Sequence, residues 1–138
     1  MSKSPWIIAL IFIVWLAVAH VPKISISSQE AIQWKTFKTG MSEAKAGGNP
    51  IFLHFYATWC TYCSKMEKES FQNDTVIDFL NKKFISIRVD IDKQPDIAKN
   101  YNVFALPTTY FFSAKGEKMG PLPGYISRER LLDILSKF

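Results

Sequence analysis

Ile51-Phe52-Leu53-His54-Phe55-Tyr56-Ala57-Thr58-Trp59-Cys60-Thr61-Tyr62-Cys63-Ser64-Lys65-Met66-Glu67-Lys68-Glu69 changes character in its middle. The first part is apolar and aromatic over the length of a strand. Only His54 breaks the apolar run, which is the pattern of a central strand in a sheet covered on both sides. The last part consists of good helix formers without Gly or Pro. The chain's two cysteines, Cys60 and Cys63, stand at the junction. Two thiols at this spacing where a strand gives way to a helix form a redox motif. Unpaired backbone N–H groups and the dipole at a helix start favour an anion, so Cys60 is the predicted thiolate nucleophile. Cys63 lies one turn on, on the same face, within reach of a disulfide.

Other readings of the pair fare less well. A structural zinc site takes about four ligands, and the chain offers two Cys and two His, of which His20 adjoins an apolar N-terminal segment. Covalent haem attachment needs His after the second Cys, and Ser64 stands there. A purely structural bridge would close a loop too small to constrain the unfolded chain much. No metal and no small cofactor are therefore expected.

The 138 residues suit one domain plus an appendage. With 48% hydrophobic and 21% charged residues, a packed core is expected rather than disorder. The net charge of +5 is spread along the chain without a basic run, so nucleic acid is not an expected partner. A mildly basic surface suits solubility, or anionic lipid and acidic partners.

Trp6 to Ala19 is continuously apolar, and Ala17-Val18-Ala19 fits a small-x-small cleavage site. Residues 1–19 read as a signal peptide, or as a membrane anchor extending over 5–21 if uncleaved. Either way the cysteines leave the cytosol for a periplasmic or other extracytoplasmic compartment where disulfides form. Residues 20–31 read as a polar linker, and 32–138 as the folded domain.

Along that domain, Ile32 and Trp34 alternate as a short edge strand. Thr36 to Ala46 is a helix pattern interrupted by Gly40, and Gly47-Gly48-Asn49-Pro50 breaks it. Strand 51–56 and a helix over Cys60–Phe71 follow. Asn73-Asp74 offers an N-cap for a further helix over Thr75–Lys83. Phe84–Asp90 alternates as a strand, and Pro95–Tyr101 is a short helix. Thr108–Phe112 and Glu117–Leu122 form a hairpin around Lys115-Gly116, with a bend at Gly124. Ser127 caps a last helix to about Lys137, with Leu131, Leu132 and Leu135 inward. Helical crossovers followed by a hairpin predict an α/β fold, a mixed sheet with helices on both faces.

Over 32–138 the chain resembles the thioredoxin superfamily. The likeness rests on Phe55-Tyr56-Ala57-Thr58-Trp59-Cys60-Thr61-Tyr62-Cys63, on Val89-Asp90-Ile91-Asp92, and on Leu106-Pro107-Thr108 with the strand and Lys115-Gly116 that follow. Within the superfamily it looks most like the C-terminal domain of transmembrane thiol:disulfide interchange reductases, and Met66-Glu67-Lys68-Glu69-Ser70-Phe71 points the same way. The resemblance implies the thioredoxin fold. It makes Cys60 the attacking cysteine, Cys63 the resolving one and Trp59 the flanking aromatic. Pro107 follows a cis bond, and Leu106 beside it offers backbone to an extended substrate. Tyr62, between the cysteines, is a partner contact.

The chain departs from the family pattern at His54, where a buried Asp is usual. Burial would hold His54 neutral at pH 7, able to take a proton from Cys63; the alternative is a packing role. Arg88 would lower the His54 pKa if close, and otherwise reads as an exposed edge residue. The expected activity is thiol:disulfide exchange with protein disulfides and dithiols, as a reductase recharged by another protein and acting as a monomer. An oxidant or isomerase, or a tethered peptide-binding or chaperone module, remains open.

Overall fold

The computed structural model describes residues 31–138; the signal or anchor segment and all but the end of the linker fall outside the described residues. The elements run α1 (Phe37–Gly47), β1 (Ile51–Tyr56), α2 (Thr61–Met66), a π-helical turn (Glu67–Phe71), α3 (Asp74–Lys83), β2 (Ile85–Asp90), α4 (Pro95–Asn100), β3 (Thr108–Phe112), β4 (Lys118–Pro123) and α5 (Arg128–Leu135). The sheet has the order β2-β1-β3-β4. β1 pairs parallel with β2 and antiparallel with β3, and β3 pairs antiparallel with β4. This is the predicted mixed sheet.

Alternation along β1 divides the core in two. Phe52 faces Met66, Phe71, Val76, Leu80, Leu131 and Leu135, contributed by α2, the π turn, α3 and α5. Ile51, Leu53 and Phe55 face Ala44 of α1 and Ala98 of α4. Both faces are thus covered, which is why β1 carries so little polarity. The caps follow the sequence: Asn73 Oδ1 accepts from Val76 N–H at 3.2 Å and Ser127 Oγ from Arg130 N–H at 3.4 Å.

Several expectations are corrected. Ile32 and Trp34 form no strand; a single parallel bridge joins Lys35 to Ile87. Gly40 does not interrupt α1. It is buried against β2, where an added Cβ would meet Ile87 Cδ1 at 2.7 Å, so its small size permits the close packing. The helix expected to run unbroken to Phe71 widens at Glu67 into a π turn, which lets Met66, Ser70 and Phe71 all face inward. β4 runs one residue later than expected, and its pairing with β3 is irregular between Thr109 and Phe111, opposite Gly120, while Gly124 makes the expected bend just after β4 at φ 88°. In α5, Ile134 is buried where Leu132 is only partly so.

Candidate functional site

The two cysteines close a disulfide with a Cα–Cα separation of 5.2 Å. Cys60 is the N-cap of α2, in extended backbone just past the end of β1. Its Sγ accepts the Cys63 N–H at 3.1 Å, so an unpaired donor of the helix start already points at the predicted nucleophile. Both residues are nearly covered in this oxidised form, Cys60 at 6% and Cys63 at 4% exposure. What separates them is the surroundings each opens onto.

Cys60 opens on a shallow uncharged groove between the 59–62 segment and the Val103–Leu106 loop. Three of its walls are aromatic and open to solvent: Trp59 (67% exposed), Tyr62 (62%) and Phe104 (92%). Trp59 is held by its indole N–H, which donates to Asp92 Oδ2 at 2.8 Å. Asp92 is in turn fixed by its own N–H donating to Asp90 Oδ1 at 3.0 Å. The Leu106–Pro107 bond is cis. Pro107 is buried; its carbonyl accepts Gly124 N–H at 2.7 Å, and Thr108 Oγ1 donates to Ala105 O at 2.6 Å. The loop is thus fastened on both sides of Leu106, which lines the groove. Sequence reasoning placed Trp59, Tyr62, Leu106 and Pro107 in this region. It missed Phe104 and Asp92. A phenylalanine two residues before Leu106-Pro107, in a loop with no strand or helix pattern to bury it, was the available signal.

Cys63 opens on a different cleft, shared with Tyr56, Glu67 and Arg88. Arg88 is not the exposed edge residue expected from sequence. Its guanidinium lies 3.9 Å from the Tyr56 ring centroid and 5.5 Å from that of Trp34. Its Nη2 is 3.0 Å from Glu67 Oε2. The approach is charge to charge rather than along an N–H direction, since Glu67 Oε2 and Arg88 Nε are both buried without a hydrogen-bond partner. Glu67, a charged residue at the end of α2, is half-buried against Arg88. Its place four residues after Cys63, hence on the same helix face, was the signal overlooked.

His54 lies beneath this region at 1% exposure. Its ring stacks on Phe52 and Tyr56 and meets Phe71 edge-on, with centroids 4.9 Å apart in the last pair. Nδ1 is 3.2 Å from Thr109 Oγ1. Burial, and secondarily the Arg88 charge on the neighbouring strand, lower its pKa from 6.5 to about 3. The ring is therefore neutral at pH 7, in line with the sequence-based expectation. The predicted proton-accepting role fits less well, because an imidazole that protonates only near pH 3 is a weak acceptor for a thiol proton. Among the described residues no His, Cys, Asp and Glu cluster could hold a metal ion.

Residues 37–138 match the thioredoxin-like domain family. The chain belongs to that family. It is 34% identical over 106 residues to the thiol:disulfide interchange protein DsbD of Vibrio cholerae, an alignment covering 72% of this chain and 18% of that protein. It is 33% identical over 89 residues to spermatogenesis-associated protein 20 of Rattus norvegicus, covering 64% and 11%. This thioredoxin-like chain thus corresponds to a small part of either relative. Among solved structures, a thioredoxin from Thermus thermophilus superposes with a TM-score of 0.70 at 25% identity, covering 78% of this chain and 87% of that one. The DsbD C-terminal domain of Neisseria meningitidis, in its oxidised form, superposes with 0.60 at 21% identity, covering 72% and 90%, and shows the shared fold. A Cys-x-x-Cys disulfide in this fold is the working part of a thioredoxin-like oxidoreductase.

Proposed function

We propose that the protein is an extracytoplasmic thiol:disulfide oxidoreductase that reduces protein disulfides. The carrying observation is the Cys60–Cys63 disulfide at the mouth of an uncharged aromatic groove. In the reduced protein the Cys60 thiolate attacks one sulfur of a partner disulfide. A mixed disulfide forms and the partner's other sulfur leaves as thiolate. Cys63 then loses its proton and attacks Cys60 Sγ, which frees the partner as a dithiol and leaves the Cys60–Cys63 disulfide. A second protein restores the dithiol by the same exchange in reverse. Trp59, Tyr62 and Leu106 would seat the partner segment, with Pro107 setting the course of the loop. His54 enters as a packing residue, its ring stacked on Tyr56, which lines the Cys63 cleft. The protein would act as a monomer, without metal or cofactor.

The reducing direction has a physical basis. Oxidants of this class owe their potential to a stabilised reduced form. Here no Lys, Arg or His lines the groove at Cys60, so its thiolate gains the Cys63 N–H but no cationic partner. The relation to a thiol:disulfide interchange protein supports exchange with other proteins. The export signal or anchor in residues 1–19, joined by a linker over 20–31, supports an extracytoplasmic site of action.

Equilibration with glutathione tests the direction. The Cys60–Cys63 couple should come out more reducing than glutathione, and the reduced protein should clear insulin disulfides in repeated cycles with dithiothreitol. A couple more oxidising than glutathione would make the protein an oxidant or isomerase. A tethered peptide-binding module would show peptide affinity and no turnover.

A further inference from the structure

The end of the sheet remote from the disulfide is rich in lysine. Strand register puts Ile51, Ile85, Phe112 and Lys118 on one line, at the opposite end of β1 from Cys60. Lys45 closes α1 just before this line, Lys82 and Lys83 close α3 just before β2, and Lys115 sits in the β3–β4 turn. Lys137 shares a cleft here with Pro50, Lys115 and Lys118. Lys82 pairs with Asp78 at 2.7 Å and Lys137 with Asp133 at 2.9 Å, and Glu117 is a further carboxylate nearby. Lys45, Lys83, Lys115 and Lys118 have no ion-pair partner among the described residues. The cysteine end differs. Its connections over 57–60, 101–107 and 124–127 carry no charge at all, and the one after β2 carries Asp92 beside a Lys93–Asp90 pair.

The chain also enters the fold at the lysine end. Residues leading to Lys35 run parallel to β2, so tracing them backwards leads toward the start of that strand. Asn81, one position before Lys82, brackets them: its Nδ2 donates to Ala31 O at 3.2 Å and its Oδ1 accepts Gln33 N–H at 2.9 Å. Residues 22–30, which join this point to the apolar stretch ending near Val21, reach at most about 32 Å even fully extended.

From these two observations we infer that the lysine end is a seat for the anionic headgroup surface of a membrane, which holds the disulfide pointing away from the bilayer toward its partners. Each lysine close to an anionic surface strengthens binding about fivefold, and salt screens the effect. Lys83, Lys115 and Lys118 together should contribute on the order of 100-fold.

The test uses the full chain and flotation with vesicles of phosphatidylcholine, with and without roughly one third phosphatidylglycerol. The apolar segment supports binding to both, and the anionic vesicles should bind on the order of 100-fold more tightly at low salt. The triple variant Lys83→Gln, Lys115→Gln, Lys118→Gln should lose most of that increment while its binding to phosphatidylcholine stays unchanged. Acetylation of the vesicle-bound protein should spare Lys83, Lys115 and Lys118 and modify Lys65 and Lys99. An increment that survives the triple substitution, or protection centred on Lys65, would overturn the inference, as would equal binding to both vesicles. A seat made for an acidic protein would show as no anionic-lipid increment together with charge-dependent retention on an acidic protein column. Disulfide exchange measured on the same samples separates failure of this inference from failure of the proposed activity.

Discussion

The two sulfurs of one disulfide look onto unlike surroundings. Cys60 faces an open groove walled by Trp59, Tyr62 and Phe104, with no charge in its lining. Cys63 faces a cleft whose wall is an arginine sandwiched between aromatic rings and paired with a half-buried glutamate, with a neutral histidine stacked on its Tyr56 wall. The first setting suits contact with a partner, since exposed apolar rings gain by being covered. The second suits a thiol that acts inside the protein. The two cysteines flank Thr61-Tyr62 alike, yet the helix start, the Pro107 loop and β2 give each its own neighbours.

Removing the nucleophile should break the comparison most completely. Cys60→Ser is expected to bring disulfide exchange down to the uncatalysed background, whereas Cys63→Ser should still form mixed disulfides in a single-turnover assay. On the Cys63 side, Arg88→Leu leaves Glu67 half-buried without its partner. A stability loss of about 1–3 kcal/mol is expected in urea denaturation, discounted from a fully buried pair because both side chains keep some solvent contact. The first attack by Cys60 should stay within about twofold of wild type, since Arg88 does not line its groove.

His54 sharpens the contrast through pH. Its folded pKa is about 3 against 6.5 in the unfolded chain, so acid protonates the unfolded state first. Its contribution is complete above about pH 6.5 and is lost as pH falls toward 3, with a slope of up to about 1.4 kcal/mol per pH unit. His54→Leu should remove that slope from stability measured between pH 6 and 4, and should slow resolution by Cys63 no more than about twofold. A much larger slowing would restore the proton-accepting role. The smallest effect belongs to Phe104. Phe104→Ser should leave stability within about 0.5 kcal/mol, because a side chain 92% exposed contributes little to the fold. It should raise KM for protein disulfides a few-fold with kcat little changed.

The strands, the cysteine pair and the caps at Asn73 and Ser127 were legible because they rest on local signals: alternation, spacing and hydroxyl or amide side chains before helices. The Leu106-Pro107 loop was legible only through family resemblance. Arg88 gave no signal, and Glu67 only its spacing of four from Cys63, since each looks like an ordinary surface charge in its own element. Their meeting is a tertiary contact between the end of α2 and β2, which nothing in Glu67-Lys68-Glu69-Ser70-Phe71 announces. Phe104 was half legible: a phenylalanine in a patternless loop is a signal, but that nothing covers it is a property of the fold. Gly40 reads as a helix breaker by propensity and is tolerated because β2 packs against it.

Cys60 meets the partner and Cys63 releases it in the proposed exchange. The direct measurement is covalent trapping of a protein disulfide substrate by two reduced single variants, Cys63→Ala and Cys60→Ala, with mass spectrometry of the linked peptides. Abundant mixed disulfide through Cys60 is expected in the first variant and little or none through Cys63 in the second. Equal trapping by both, or trapping mainly through Cys63, would contradict it.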